Sequence, residues 1–388
     1  MTCPHCGAAA RFKGYRGRSA VSLVGGIRIE RAYYHCKHCR RGILPSEPAW
    51  GLNSGDFTPA AEEVVCMAGI LGSFADAADD VLQRLAGLRI SESSVQRHTE
   101  AVGRDVGDRL NAGQMFGPVK PWNWHRDAEG KTCAAISLDA TGVPQQGAGA
   151  SAADCKMATV AMIYNPIPEG RDRWSGSNAT RPRGQARYLA TLHGSAGLGE
   201  PLLRQAAQVG LGRAERVIAL SDGGVGLEDW LRSHFPRVEA VILDFYHASE
   251  YLAALAKAWH GPSSEAAESL HRRWAHRLKH EGGQAMLDEL RALELPPRET
   301  LHETWRTTLT YFVNQVHRMD YPSYVAKGWQ IGSGPVEAAC KLVIGQRLKG
   351  TGMRWSRPGS EGVAHLRALF LSERGQWTDY WTHRQNVA

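Results

Sequence analysis

Between residues 131 and 243 the chain breaks into short apolar runs separated by Gly and Pro turns, and two of these runs end on an aspartate. Cys-Ala-Ala-Ile-Ser-Leu leads into Asp139, and Arg-Val-Ile-Ala-Leu-Ser leads into Asp222-Gly-Gly. Runs of four to eight apolar residues bounded by turn signals are strands rather than helices. The spacing predicts strands over 133–138, 157–164, 188–192, 217–220 and 238–243, with helices over about 198–210, 225–234 and 247–259. Three strands, then helix, strand, helix, strand is the order of an α/β sheet.

A third acid, Glu337, sits in Gly-Ser-Gly-Pro-Val-Glu-Ala-Ala-Cys-Lys, which reads as a loop opening a helix with Pro335 in its first turn. Two acids at strand ends and one on a later helix is how an RNase H-like core holds two divalent metals. Hard cations take oxygen ligands, so carboxylates suit Mg²⁺. Each acid alone reads more simply as a turn or cap residue, and the triple is what carries the metal reading. A competitor for the second position is Val-Ile-Leu-Asp244-Phe-Tyr-His247. Asp222 is preferred because its strand precedes a helix and one further strand. Asp244 and His247 then form a supporting pair, with a buried, hydrogen-bonded histidine as the plainer reading of His247.

The N-terminal module carries Cys3-Pro-His-Cys6 and Cys36-Lys-His-Cys39, separated by 29 residues. A two-residue gap lets both thiolates of a pair grip one tetrahedral ion, so one structural Zn²⁺ is expected, in a closed site without catalysis. Thiol redox pairs are the weaker alternative. Such a ribbon either contacts nucleic acid or is a folding staple. His5 and His38 are expected to point outward, and 21–32 is expected to be one hairpin strand. Cys66, Cys133, Cys155 and Cys340 are expected as ordinary small core or semi-buried residues.

Residues 59–112 read as helices over 60–71, 74–85 and 92–107, the last two joined through a turn at Gly87 and a Ser91 cap. That is either a helix-turn-helix, with Ser93, Ser94, Gln96, Arg97 and His98 facing DNA, or the solvated face of a plain bundle. Residues 113–130 look like a linker. Lys341, Gln346, Arg347, Lys349, Arg354 and Arg357 crowd a late segment together with Trp355. There the cations suit phosphates, and Trp355 is either a stacking or a core residue. Arg171, Arg173, Arg181, Arg183 and Arg187 crowd another segment. The net charge of +7 is compatible with a polyanionic partner. No apolar stretch approaches roughly 18 residues and the N-terminus has no apolar signal core, so a cytoplasmic protein is expected.

Ser-Asp222-Gly-Gly, Leu-Asp244-Phe-Tyr-His247-Ala, the stretch from Gly328 through Glu337 to Lys341, and Gln346 to Ser356 closely resemble bacterial insertion-sequence transposases of the ISKra type, within the Mutator-like DDE superfamily. The resemblance covers about 131–382 and is most specific around Glu337. It implies an RNase H-like core over 131–260 and 329–382 with a helical insertion over 261–328, and the zinc ribbon over 1–48 and the helical DNA-binding segment over 59–112 fit the same group more loosely. It also implies two catalytic Mg²⁺ on Asp139, Asp222 and Glu337, with Asp244 and His247 as the Asp-x-x-His pair. The expected activity is cleavage of element ends and strand transfer into target DNA by a nucleoid-associated dimer or larger assembly. Arg97, Arg347, Lys349, Arg354, Trp355 and Arg357 are the expected DNA contacts. The chain departs from the group in opening almost directly at the ribbon, which leaves recognition of the element ends open. The rival readings are a non-catalytic DNA-binding regulator or domesticated remnant, and a nuclease without strand transfer.

Overall fold

The computed structural model describes residues 1–49, 56–166, 185–373 and 375–386. The chain divides into two compact units, Met1–Pro118 with Arg347–Ala388, and Val119–Gln346.

The first unit opens with a long antiparallel ribbon, β1 (Ala10–Ser22) and β2 (Gly25–Cys36), to which the short β3 (Gly42–Ile43) adds an edge. The expected single strand over 21–32 is therefore two strands. The turn falls at Leu23 and Val24, which are exposed, and Gly25 takes φ 101°. Apolar alternation runs straight through this turn and conceals it. Only Cys3, Ala10, Cys36 and Ile43 form the module's buried cluster.

Beyond it lie helices Pro59–Leu71, Phe74–Asp76 continuing as a π-wound Ala77–Leu85, and Glu92–Asn111. Ser91 caps the last, accepting from the Ser94 amide at 3.3 Å. This helix crosses Arg357–Leu371 at backbone contact: a Cβ on Gly103 would lie 1.9 Å from the Gly362 carbonyl oxygen. The shared core joins Ile70, Val102, Val106 and Phe116 to Leu366, Leu369, Trp377 and Trp381. The residues from Arg347 onward thus group with the early helices in the first unit, whereas residues 329–346 fall in the second.

This packing corrects two of the expected DNA contacts. Arg347 is 1% exposed, donates to the Gly69 carbonyl at 2.8 Å and lies over the Phe74 and Trp355 rings. Arg367 donates to the neighbouring Ile70 carbonyl. Both guanidinium groups satisfy the last carbonyls of Pro59–Leu71, where the helix dipole is negative. Burial lowers each to about 10, so both stay charged at neutral pH. Trp355 is buried and donates to the Leu348 carbonyl. Arg347→Ala is therefore expected to lower stability by about 3 kcal/mol, since it strips buried acceptors of a charged donor. Thermal melting reads that loss, and the salt dependence of DNA binding should not change.

In the second unit the sheet runs β6 (Ala186–Thr191), β5 (Ala152–Tyr164), β4 (Cys133–Gln146), β7 (Arg216–Ser221), β8 (Val238–Leu243). β5 is antiparallel to both of its neighbours, β4 and β6, whereas β7 and β8 run parallel to β4. β7 is buried along its whole length, as are residues 133–138 of β4, which fits strands covered on both faces. Helices Gly199–Gln208 and Leu227–His234 pack on the sheet, and Phe245–His260 follows β8. Residues 261–328 are mostly helical: Glu265–Arg291, Glu299–Gln315 and Tyr321–Ala326. Gly282 takes φ 89° and bends the first of these around Met319. Trp122 and Trp124 of the expected linker are buried in this unit, and Trp124 donates to the Gly210 carbonyl. Among the described residues no helix is long and apolar enough to cross a membrane.

Candidate active site and metal centre

Strand direction sets the site. β4, β7 and β8 are parallel, so their C-terminal ends lie on one side. The β4–β7 ladder ends at Ser137 and Leu220. Asp139 lies two residues past that point and Asp222 directly follows β7. Asp244 directly follows β8 and caps Phe245–His260, accepting from the Tyr246 amide at 2.8 Å. Asp139 does not end a strand, as the sequence suggested. β4 continues to Gln146 because β5 pairs with it throughout, with Asp139 opposite Val160.

The fourth element is the helix Gly334–Cys340, which packs on β4 and β5 and carries Glu337. The side chain of its cap residue, Ser333, makes no capping hydrogen bond. The Ser333 hydroxyl instead lies 2.5 Å from Asp244 Oδ2 and also meets Glu337 Oε1. One hydroxyl proton serves two carboxylates, so it can donate to only one at a time. The loop before this helix is tied to Phe245–His260 by the Phe245 amide, which donates to the Ile331 carbonyl at 2.8 Å. Gly332 lets that loop pass close to Tyr246, whose ring a Cβ there would meet at 2.7 Å and have to displace.

Asp139, Asp222, Asp244, His247 and Glu337, the five residues singled out from sequence, line one cavity of about 460 Å³, together with Glu250 and Ser333. Burial raises Asp139 above the ordinary carboxylate range, and the charges of Asp222 and Glu337 raise it further, against a lowering hydrogen bond from the Ala140 amide. A carboxyl raised in the fold contributes stability below its unfolded pKa and loses that contribution as pH rises through its folded pKa. With zinc present but no other divalent cation, Asp139→Asn is expected to melt above the native chain at pH 7. The difference should vanish near about pH 3, as calorimetry across that range would read.

Asp222 accepts the Gly224 amide through Oδ1 at 3.0 Å. His247 reaches Glu250 at 3.6 Å and packs edge-on against the stacked rings of Tyr251 and Tyr311. Sequence reading missed Ser333, Tyr311 and Arg318. Arg318 is 2% exposed and donates to the Val241, Ser221 and Asp222 carbonyls, holding the two acid-bearing strand ends in place. A lone arginine far from the sheet in sequence carries no signal of this. Ser333 was visible in Gly-Ser-Gly-Pro but read only as a helix start.

The four N-terminal thiols form a second centre. Cys3 Sγ and Cys39 Sγ are 3.6 Å apart, as are Cys6 Sγ and Cys36 Sγ, and all four lie within 4.8 Å of one another. A tetrahedral zinc with Zn–S near 2.3 Å has sulfur–sulfur edges of about 3.8 Å, so the group can hold a metal such as zinc. Backbone amides, first that of Cys39, draw the Cys36 thiol down to about 6. The Ala8 amide lowers Cys6, but desolvation and the other three thiols push it up to about 12. The thiols thus compete for negative charge that a divalent ion would neutralise. His5 and His38 are exposed and outside the group. Among the described residues no other set of three His, Cys, Asp or Glu ligand atoms is as close, so the cavity acids are more widely spaced than the thiols.

Of the remaining expected sites, Arg97, Lys349, Arg354 and Arg357 are exposed. His98 is half-buried, held by Glu62 at 2.9 Å and Phe57, and is part of the packing. Arg187 is buried against Gln208, while Arg171, Arg173, Arg181 and Arg183 lie outside the described residues. Cys66, Cys133 and Cys340 are buried, but Cys155 is exposed. No protein-family model matches the chain, and no curated protein matches its sequence.

Proposed function

We propose that this chain is a DDE-type DNA transposase of the ISKra kind, with an RNase H-like catalytic domain that cleaves insertion-sequence ends and joins them to target DNA. The observation that carries this reading is the meeting of Asp139, Asp222, Asp244, His247 and Glu337 in one cavity from distant stretches of sequence. The strand order β6-β5-β4-β7-β8, with β5 antiparallel to its neighbours and β4, β7 and β8 parallel, supports the RNase H-like assignment. Divalent cations, when bound, supply the charge that activates an attacking oxygen and steadies a leaving one. Asp139, Asp222 and Glu337 are the residues that would hold them. Asp244 fixes the loop before Glu337, and Ser333 bridges the two carboxylates. His247 stands at the rim, within reach of a phosphate. Pairing two DNA ends calls for at least a dimer.

The test incubates the protein with Mg²⁺, linear DNA carrying the element ends and a plasmid target. Joined products that disappear with Asp139→Ala, while end binding persists, support the reading. Cleavage without joining favours a nuclease. Binding without cleavage favours a regulator.

A further inference from the structure

The positive charge of this chain is concentrated in its first module. Residues 1–48 hold nine Lys and Arg against two acids, Glu30 and Glu47, a surplus equal to the +7 of the whole chain. The rest of the chain is therefore close to neutral. Four thiolates with one divalent ion contribute about two negative charges, which leaves the module strongly basic.

The ribbon distributes that charge unevenly. Arg18 and Arg31 are taken up by Glu47. Arg11, Lys13, Arg16 and Arg28 are exposed, and among the described residues none has a carboxylate within ion-pair distance. On one face, Phe12 pairs with Tyr34 and Tyr15 with Ala32, while the register slips between Phe12 and Tyr15 and leaves Lys13 in a bulge. The Phe12 ring meets Tyr15 and Tyr34 edge-on at 5.4 and 5.5 Å. Yet Phe12 is 50% and Tyr15 69% exposed. Arg16 lies 3.6 Å over the Tyr33 ring. Water-exposed rings set among uncompensated cations suit a polynucleotide, whose phosphates take the cations and whose bases or sugars take the rings.

We infer that the β1–β2 ribbon is a DNA-docking surface, with Arg11, Lys13, Arg16 and Arg28 on phosphates and Phe12 and Tyr15 against a base or sugar. This deepens the proposed function and rests on its DNA reading, but not on catalysis. In the test, the zinc-loaded full chain, without Mg²⁺, is titrated into a fluorescein-labelled DNA duplex at several KCl concentrations. Each lost phosphate contact reduces the slope of log K against log salt by about 0.9. Joint replacement Arg11→Gln, Lys13→Gln, Arg16→Gln and Arg28→Gln is expected to flatten that slope by about 3 to 4. A charge-matched set on the helices of residues 261–328, Arg272→Gln, Arg273→Gln, Lys279→Gln and Arg306→Gln, is expected to flatten it by less than about 1. If the ribbon variant loses zinc, Arg16→Gln and Arg28→Gln singly, at about one unit each, carry the same test. An unchanged slope, or equal flattening by both sets, overturns the inference. So does tighter binding to anionic lipid vesicles than to DNA. A native chain that binds no duplex overturns this inference and the DNA reading together. A flattened slope in a chain that never cleaves DNA upholds the ribbon and sinks the transposase.

Discussion

Asp222→Asn is expected to slow metal-dependent DNA cleavage by about a thousandfold, while Asp244→Asn mainly lowers the melting temperature. The two aspartates hold equivalent places after neighbouring parallel strands, and their hydrogen bonds separate them. Asp244 is 4% exposed and has both oxygens engaged, one by the Tyr246 amide and one by the Ser333 hydroxyl. It is committed to joining the start of Phe245–His260 to the loop that carries Glu337. Asp222 is half-buried and faces the cavity. Its Oδ1 takes the Gly224 amide, and the hydrogen bonds among the described residues leave Oδ2 unengaged. An asparagine at 244 keeps the cap acceptor, so the expected loss is about 1–2 kcal/mol of stability with substantial cleavage retained. Single-turnover cleavage and thermal melting of both variants decide the matter. Asp244→Asn inactive at an unchanged melting temperature, beside an active Asp222→Asn, would reverse the assignment.

The second large effect is expected at the thiols. Cys36→Ser should lose one zinc per chain and unfold the ribbon, leaving the helices from Pro59 onward folded. A buried cluster of four small and medium residues cannot hold a ribbon of this length on its own. Structural zinc contributes about 10–16 kcal/mol to folding of comparable finger peptides. Limited proteolysis should then cut within residues 10–43 of the variant and spare that stretch in the native chain. Elemental analysis showing no zinc in the native protein, with the same proteolytic pattern for both chains, would remove the metal from the account.

The sheet was legible in the sequence because its strands are nearly unbroken apolar runs with Gly and Pro at their ends. Asp139 lines the cavity with the other acids, but from within a strand and not from its end. Where β4 stops depends on its partner β5, and pairing over that distance leaves no local mark. The cluster of late cations was legible as a cluster, but not which side chain turns inward. Arg347 is buried because two helix-end carbonyls and a pair of aromatic rings await a guanidinium, and none of these is near it in sequence. Gly103 and Gly107, four apart on one helix face, did announce a close helix crossing. That signal was open to reading and would have assigned the residues after Arg357 to the first unit. Arg318 had no such signal, because the carbonyls and the Ser221 hydroxyl it holds are presented by two strand ends far from it in sequence.

The central claim, that the cavity acids hold catalytic divalent ions, is tested most directly by anomalous diffraction from crystals of the zinc-loaded protein soaked in Mn²⁺. The account predicts two manganese peaks about 3.5–4 Å apart among Asp139, Asp222 and Glu337, with a separate zinc peak at the four cysteines. A strong zinc peak with no manganese in the cavity at saturating concentration would contradict it.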